Sequence, residues 1–325
     1  MGSRARIATV CMNRRFAPTV EQNREHVLGL LDRVLIHKPD LVCLPEAFPT
    51  VSLPHANLES ICEPVPGPTT DAAGRRARDH HCYIVCPLLT RRAGKFWNSA
   101  VVLDRGGGIA GIYDKVWPVT TTPDYTLLEE GITPGQDVPV FDLDIGRIGI
   151  QICFDINFRE DWRLLAEKGA RLVCWPSAYN GGFPLRAYAC LHEYFVVSSV
   201  RSTCSQIVNP CGEAIARTDE FAEAVWRDVS LDFVVAHADF NYRVPDEIQA
   251  KYGDKVSVRS YADQAAFLIE PLADGLTAAQ LQKEFSFESC AQYCGRHRKT
   301  AEQLRTGRNP HRQRPAHGAR AQYSK

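Results

Sequence analysis

Apolar residues recur along this chain with two periods. Val27, Leu28, Leu31, Val34 and Leu35 fall at helical spacing, and Thr19-x-x-Gln22 ahead of them has the form of a capping box, so a helix is expected there. Residues 70–81, 185–195 and 277–288 read as helices, and Asn157-x-x-Glu160 reads as a second capping box opening a helix through Lys168. Short apolar runs predict strands over 5–11, 41–44, 83–88, 98–103, 109–113, 138–143, 147–153, 171–175, 196–200 and 233–236. Asp104-Arg105-Gly106-Gly107-Gly108 lies between two of these runs. No helix and no Lys-Ser/Thr follow it, so it reads as a hairpin turn and not a phosphate-cradling loop.

Strands alternating with helices imply a layered α/β fold. Leu41–Leu44, Ile148–Ile152 and Leu172–Trp175 are apolar on both faces, as strands covered on both sides are. The hairpins argue against a purely parallel sheet, and two sheets packed face to face with helices outside satisfy both observations. The alternation fades after about residue 240. The expected organisation is one domain over 1–272 with its core to about 240, a helical arm over 273–295, and a basic tail over 296–325.

Composition adds little to the fold: 45% of the 325 residues are hydrophobic and 23% charged, as in ordinary globular chains. No apolar run is long enough to span a bilayer, and no signal peptide precedes the first strand, so a cytoplasmic protein with reduced thiols and no membrane contact is expected. The net charge is zero but uneven: residues 296–325 hold nine Lys or Arg and a single acid, Glu302. That tail has no apolar period and only Tyr323 as an aromatic, so it reads as a disordered, solvated extension, and no nucleic-acid partner is expected. Cys290, Cys294 and His297 have metal-like spacing but no evident fourth ligand, so neither metal nor cofactor is expected.

The candidate chemistry lies where strands end. Leu41–Pro45 runs into Glu46, Ile109–Asp114 into Lys115, and Arg147–Ile152 into Cys153. A thiol needs a base or a positive charge beside it to become a nucleophile. No histidine closes a strand as these three residues do. A carboxylate serves as base if burial raises its pKa towards neutrality, which the setting of Glu46 suggests. Lys115 and the backbone N–H of Phe154 are then the candidate donors to an oxyanion.

Five segments together resemble the nitrilase superfamily of carbon–nitrogen hydrolases: Leu44–Phe48, Tyr113–Lys115, Gly131–Gly135, Gly146–Asp155 and Trp175–Ala178. The resemblance covers roughly residues 5–240. It implies a four-layer αββα sandwich of two mixed sheets with helices on both outer faces. It also implies a catalytic Glu-Lys-Cys triad of Glu46 as general base, Lys115 as oxyanion stabiliser and Cys153 as nucleophile. A second glutamate is common before the Pro-Gly matched by Pro134-Gly135; Glu129 fits on spacing and Glu130 competes with it. Homodimers or larger assemblies are implied as well. Phe154-Asp155 after the cysteine looks more like the amidase and N-carbamoyl amidohydrolase branches than the Trp-Glu of nitrilases. The expected substrate is a small linear amide or N-carbamoyl compound, with nitrile hydrolysis and a non-catalytic scaffold as the alternatives. Trp175, Tyr179 and Asn180, after the next strand, are candidate pocket residues.

Overall fold

In the computed structural model, which describes residues 4–51, 53 and 57–317, the chain divides into two units, Ala5–Asp228 and, with Arg4, Val229 onwards. In the first unit β1 (Arg4–Val10) leads to α1 (Val20–Leu35), which opens where Thr19 Oγ1 accepts the Gln22 N–H at 3.2 Å. β2 (Leu41–Cys43), the single turn α2 (Leu58–Ile61), α3 (Pro68–His80), β3 (Tyr83–Arg92), β4 (Lys95–Leu103) and β5 (Ile109–Asp114) follow. The glycine-rich segment is the β4–β5 hairpin turn, where Asp104 Oδ1 accepts the N–H groups of Gly106 at 2.8 Å and Gly108 at 2.9 Å. Gly107 has a φ of +84° and lies against the Gly74 carbonyl of α3, a place with no room for a side chain.

The rest of this unit is β6 (Val140–Leu143), β7 (Gly146–Ile150), α4 (Arg159–Glu167), β8 (Leu172–Ser177), α5 (Gly182–His192), β9 (Phe195–Val200), β10 (Gln206–Val208), β11 (Ala214–Arg217) and β12 (Ala224–Ser230). The strands form two six-stranded sheets, ordered β12-β1-β2-β3-β4-β5 and β11-β10-β9-β8-β7-β6. Each is mixed, with a parallel centre (β1-β2-β3 and β7-β8-β9) and antiparallel hairpins at the side. Thr9 Oγ1 donates to the Ser198 carbonyl at 2.6 Å and Ser199 Oγ to the Val10 carbonyl at 2.8 Å, so polar groups stitch the two sheets together. Leu31, Val34, Ala73 and Ala77 of α1 and α3 pack on Val42, Ile84 and Val101. On the other sheet, Trp162 and Leu165 of α4 and Leu185 and Tyr188 of α5 pack on Val173, Trp175 and Val196. The order is helices, sheet, sheet, helices: the expected αββα sandwich.

Two of the local differences from expectation bear on the site. Asn157 does not cap α4; its Nδ2 donates to the Phe154 carbonyl at 3.0 Å, and the helix starts from Phe158. The run expected to be one strand to Cys153 leaves the sheet after Ile150 and enters a 3-10 turn, Cys153–Asn157. That shift puts the thiol on a turn and not on the sheet.

The second unit holds β13 (Val234–His237), α6 (Val244–Tyr252), β14 (Val256–Tyr261), β15 (Ala266–Pro271), α7 (Ala278–Phe285) and α8 (Cys290–Arg305). Its antiparallel sheet, β13-β15-β14, buries Phe267 and Ile269 against Val244, Ile248 and Leu281. The division falls after Asp228, where a single domain to 272 was expected. The expectation of disorder from 296 fails for 296–305, which complete α8. That helix buries no side chain, so it has no apolar period to detect. Its visible signal is the capping box Ser289-x-x-Gln292, and Arg296 pairs with Glu288 to hold it. Residues beyond 317 lie outside the described part of the chain.

Candidate active site

The strand directions decide what can meet. β1, β2 and β3 run parallel, and β5, antiparallel to β4, runs with them. In the other sheet β7, β8 and β9 are parallel, and the parallel bridge Cys11–Val200 aligns the two sheets. The carboxyl ends of β2, β5, β7 and β9 therefore share one end of the sandwich, the end at which α/β proteins collect their chemistry. Glu46, Lys115 and Cys153 follow three of them, and Arg201 follows the fourth directly.

Lys115 is the hub. It is only 1% exposed, and its Nζ lies 2.9 Å from Glu46 Oε1 and 2.5 Å from Glu129 Oε1. Its backbone N–H donates to the Asn98 carbonyl at 2.8 Å, prolonging the β4–β5 ladder by one rung. Asn98 Nδ2 donates to Glu46 Oε1 and to Glu129 Oε2, both at 3.0 Å, so it braces the two carboxylates. Glu129 also accepts the Val119 N–H at 3.2 Å, whereas Glu130 is solvent-exposed. Of the two candidate glutamates, Glu129 is thus the one turned to Lys115. Arg201 Nη2 closes the cluster at 3.2 Å from Glu46 Oε2.

Cys153 sits at the start of its 3-10 turn with φ +46°, and Ala47 (+43°) and Glu129 (+38°) also have left-handed backbone. Such conformations cost of order 1–3 kcal/mol each for residues other than glycine and gather where a structure aims particular side chains. The turn is fastened from several sides. Trp175 Nε1 donates to the Cys153 carbonyl at 3.2 Å and Trp162 Nε1 to the Asp155 carbonyl at 3.1 Å. The fully buried Asp155 carboxyl accepts from Tyr113 Oη at 2.7 Å, Ile152 N at 2.8 Å and Trp117 N at 2.9 Å. Tyr113 and Trp117 flank Lys115 in the chain, and Ile152 precedes Cys153. One side chain therefore ties the two segments together.

Protonation follows from these contacts. Burial pushes Cys153 up to about 12, Glu46 adds to the rise, and Lys115 and the bonds from Ala178 and Ser177 only partly offset it. Burial works to raise Glu46, but the charges of Lys115 and Arg201 and the bonds from Lys115 and Asn98 outweigh it and hold the carboxyl at about 2. This reverses the expectation that burial brings Glu46 towards neutrality. Burial works to lower Lys115, and Glu46, Glu129 and Cys153 outweigh that and raise it above its usual value. The resting cluster is a thiol beside two carboxylates and two cations.

The other expected pocket residues divide. Tyr179 is 42% exposed and feels the charges of Cys153 and Glu46, so it borders the site. Phe154, partly buried, packs edge-on against Phe158. Asn180 is exposed and its Oδ1 accepts the Gly182 N–H at 3.2 Å, which shapes the start of α5. Trp175 is fully buried in the core, so it supports the turn and is not among the described residues that line the cleft beside Glu46. Asn98, Arg201 and Asp155 were missed as site residues. Asn98 had a signal, a polar amide inside an apolar strand, and Arg201 ends an apolar run just as the three chosen residues do.

A cleft of about 430 Å³ opens onto the cluster. Glu46, Asn98, Glu129 and Arg201 form its polar side, Leu58, Ile61, Leu89 and Ile132 its apolar side, and Glu130 also lines it. Lys115 and Cys153 lie beneath, outside its lining. A larger groove of about 670 Å³ lies within the second unit, among α7, α8 and residues 313–316, and holds none of these groups.

Fold and site together define an αββα sandwich with a buried carboxylate–ammonium–thiol cluster at the strand ends. The carbon–nitrogen hydrolase family model matches residues 6–237, and the chain belongs to that family, within the nitrilase superfamily, as a hydrolase of carbon–nitrogen bonds. It is 25% identical to the omega-amidase NIT2 of Bos taurus over 233 residues, 65% of this chain and 83% of that protein. It is also 25% identical to the nitrilase homolog 2 of Dictyostelium discoideum over 237 residues, 65% and 71% of the two chains. Among solved structures, Saccharomyces cerevisiae Nit3 superposes with a TM-score of 0.58 at 21% identity, covering 69% of this chain and 89% of its own. An amidase from Nesterenkonia sp. superposes with a TM-score of 0.59 at 21% identity, covering 71% and 92%. No helix among the described residues is long and apolar enough to cross a membrane.

Proposed function

We propose that this chain hydrolyses a small linear amide or N-carbamoyl compound through a thioester on Cys153. The observation that carries the reading is the Glu46–Lys115–Glu129 network beside a thiol on a strained turn. The similarity to proteins named omega-amidase and amidase supports an amide over a nitrile.

Glu46 at about 2 is too weak a base to strip a thiol at about 12 in the resting site. The proton therefore moves as the carbon–sulfur bond forms, when the charge leaving the thiol arrives on the carbonyl oxygen and not on sulfur. Lys115 and the Phe154 N–H receive that oxyanion in a water-poor site, where fixed donors are worth most. With its ammonium turned to the oxyanion, Lys115 holds Glu46 less firmly and the carboxylate becomes a better base. The tetrahedral intermediate collapses, the carbon–nitrogen bond breaks, and the nitrogen takes the proton from Glu46 to leave as ammonia or an amine. Water then attacks the thioester and gives its proton to Glu46. The acid is released, and the proton returns to the Cys153 sulfur. Glu129 and Asn98 keep Lys115 and Glu46 in place throughout.

The test is ammonia or amine release from a panel of amides, ureido acids and nitriles, with Cys153→Ala as control. Turnover of amides or ureido acids that the control lacks is expected. Turnover of nitriles alone contradicts the substrate assignment, and equal turnover by the control contradicts the thiol mechanism.

A further inference from the structure

The groove within the second unit is lined by Lys283 of α7, Arg296 and Lys299 of α8 and Arg314 of the segment that returns along them, against a single acid, Glu288. Glu288 is already engaged. Arg296 Nε donates to its Oε2 at 3.0 Å, Arg296 Nη2 donates to the same oxygen, and the Ala316 N–H reaches Oε1 at 3.4 Å. Glu284, beside Lys283 in the chain, is engaged as well, by Lys251 and Tyr252. Lys283, Lys299 and Arg314 form no ion pair among the described residues. The remaining residues of the chain include no Asp or Glu to neutralise them.

The groove is nonetheless firmly built. Gln313 Nε2 donates to the Arg296 carbonyl at 3.1 Å and to Thr300 Oγ1 at 3.0 Å, which pins the segment carrying Arg314 along α8. Gln292 Oε1 accepts from Gln282 Nε2 at 3.1 Å and from the Ser289 N–H at 2.9 Å, which joins α7 to α8 and leaves the Gln292 NH2 group for another acceptor. Like charges gathered in one concavity repel, and no acid among the described residues offsets the three unpaired cations.

We propose that this groove binds a compact, freely diffusing anion that carries several phosphate groups. A guanidinium takes phosphate oxygens in pairs and an ammonium takes them as a point charge, so Arg314, Lys283 and Lys299 together suit more than one phosphate. The space of about 670 Å³ lies within the range of small-molecule pockets. Its apolar lining is limited to Ala279, Ala316 and Phe287, whose ring is 1% exposed. The lining therefore offers no open ring to stack on a base and no apolar anchor for a bilayer, which favours a free polyanion over a nucleic-acid strand or a membrane surface. Such an anion ties α7, α8 and the returning segment together, and it stabilises the folded chain by mass action. The site is chemically separate from the cluster around Cys153 and holds whatever amide that thiol acts on.

The experiment is calorimetric titration of the full chain at low salt with tripolyphosphate, with orthophosphate and with a short single-stranded oligonucleotide. Tripolyphosphate is expected to bind one per chain, tenfold or more tighter than orthophosphate, to raise the melting temperature, and to weaken as salt is added. Lys299→Gln and Arg314→Gln are each expected to weaken it tenfold or more, and Arg217→Gln, an exposed cation of the first unit, to leave it within about twofold. Gly295 supplies a variant that removes no contact: it lines the groove, and a Cβ added there meets no atom within 4 Å. Gly295→Glu is expected to weaken tripolyphosphate tenfold or more and Gly295→Ala to leave it within about twofold, so the test stands even if Arg314→Gln fails to fold. Tripolyphosphate bound no tighter than orthophosphate overturns the proposal. So does an equal loss in Arg217→Gln, or an affinity that Gly295→Glu leaves intact. Tighter binding of the oligonucleotide, lost in the same variants, overturns it in favour of a nucleic-acid site.

Discussion

Asp155→Asn removes the joint between the segments that carry Lys115 and Cys153, while changing the side-chain volume little. The carboxyl accepts three N–H or O–H donors, one on Oδ1 and two on Oδ2. An amide keeps one oxygen and turns an NH2 group towards at least one of those donors. A buried donor left without an acceptor costs about 1–3 kcal/mol. At roughly 2–4 °C per kcal/mol for a unit of this size, the melting temperature falls by roughly 2–12 °C. Activity falls further, because a reacting group misplaced by about 1 Å loses about 100-fold. The variant is expected to lose most of its kcat while Cys153→Ala, which leaves Asp155 in place, keeps the wild-type melting temperature more closely. A pH signature accompanies this. Burial raises Asp155 to about 7 from its ordinary 3.8, although the donors from Ile152, Tyr113 and Trp117 pull it down. The folded chain thus holds this proton more tightly than the unfolded one. That contribution to stability is complete below about pH 4 and is lost as pH rises through about 7; it amounts to a few kcal/mol, order of magnitude. Denaturant midpoints measured from pH 4 to 8 are expected to fall more steeply for the wild type than for Asp155→Asn. Parallel curves together with an unchanged kcat refute the reasoning.

Three other outcomes are expected. Alkylation by iodoacetamide at pH 7 is expected to reach exposed Cys294 before Cys153, because burial and Glu46 keep the Cys153 thiol protonated, and labelling of Cys153 is expected to quicken as pH rises towards about 12; faster labelling of Cys153 than Cys294 at neutral pH contradicts the protonation scheme. Glu46→Gln keeps the shape of the cluster but removes its base and one counter-charge of buried Lys115, so kcat is expected to fall by about 10² to 10⁴ and stability by up to about 3–5 kcal/mol, and a kcat within tenfold of wild type counts against the assignment. Trp175→Phe leaves the buried Cys153 carbonyl without its donor at a cost of about 1–3 kcal/mol and is expected to lower kcat more than it raises KM; a change in KM alone would return Trp175 to the pocket wall.

The layers were legible because burial is written in the apolar periods: β1 to β9 and α1 to its cap could be placed from spacing, whereas β10, β11 and β12, short or half-exposed, could not. α8 was not, since a helix that buries nothing carries no such period. The chemistry at strand ends was legible for Glu46, Lys115 and Cys153 because a polar residue after an apolar run stands out. Arg201 obeys the same rule, but Ser198 and Ser199 interrupt the apolar run before it, so it stands out less. Asn98 and Asp155 act through contacts across 52 and 38 to 42 residues of chain, which pairing of strands creates and local sequence does not show. The sign of the Glu46 shift was misjudged for the same reason. Burial can be guessed from sequence, but two cations brought in from β5 and β9 cannot.

The thioester mechanism requires that Cys153 becomes acylated during turnover. Intact-protein and peptide mass spectrometry on samples acid-quenched during turnover of the best amide from the panel tests it directly. An adduct of the acyl mass is expected on the Cys153 peptide in the wild type and none in Cys153→Ala, which also releases no ammonia. Continued ammonia release by Cys153→Ala, with no adduct on the wild-type peptide, would contradict it.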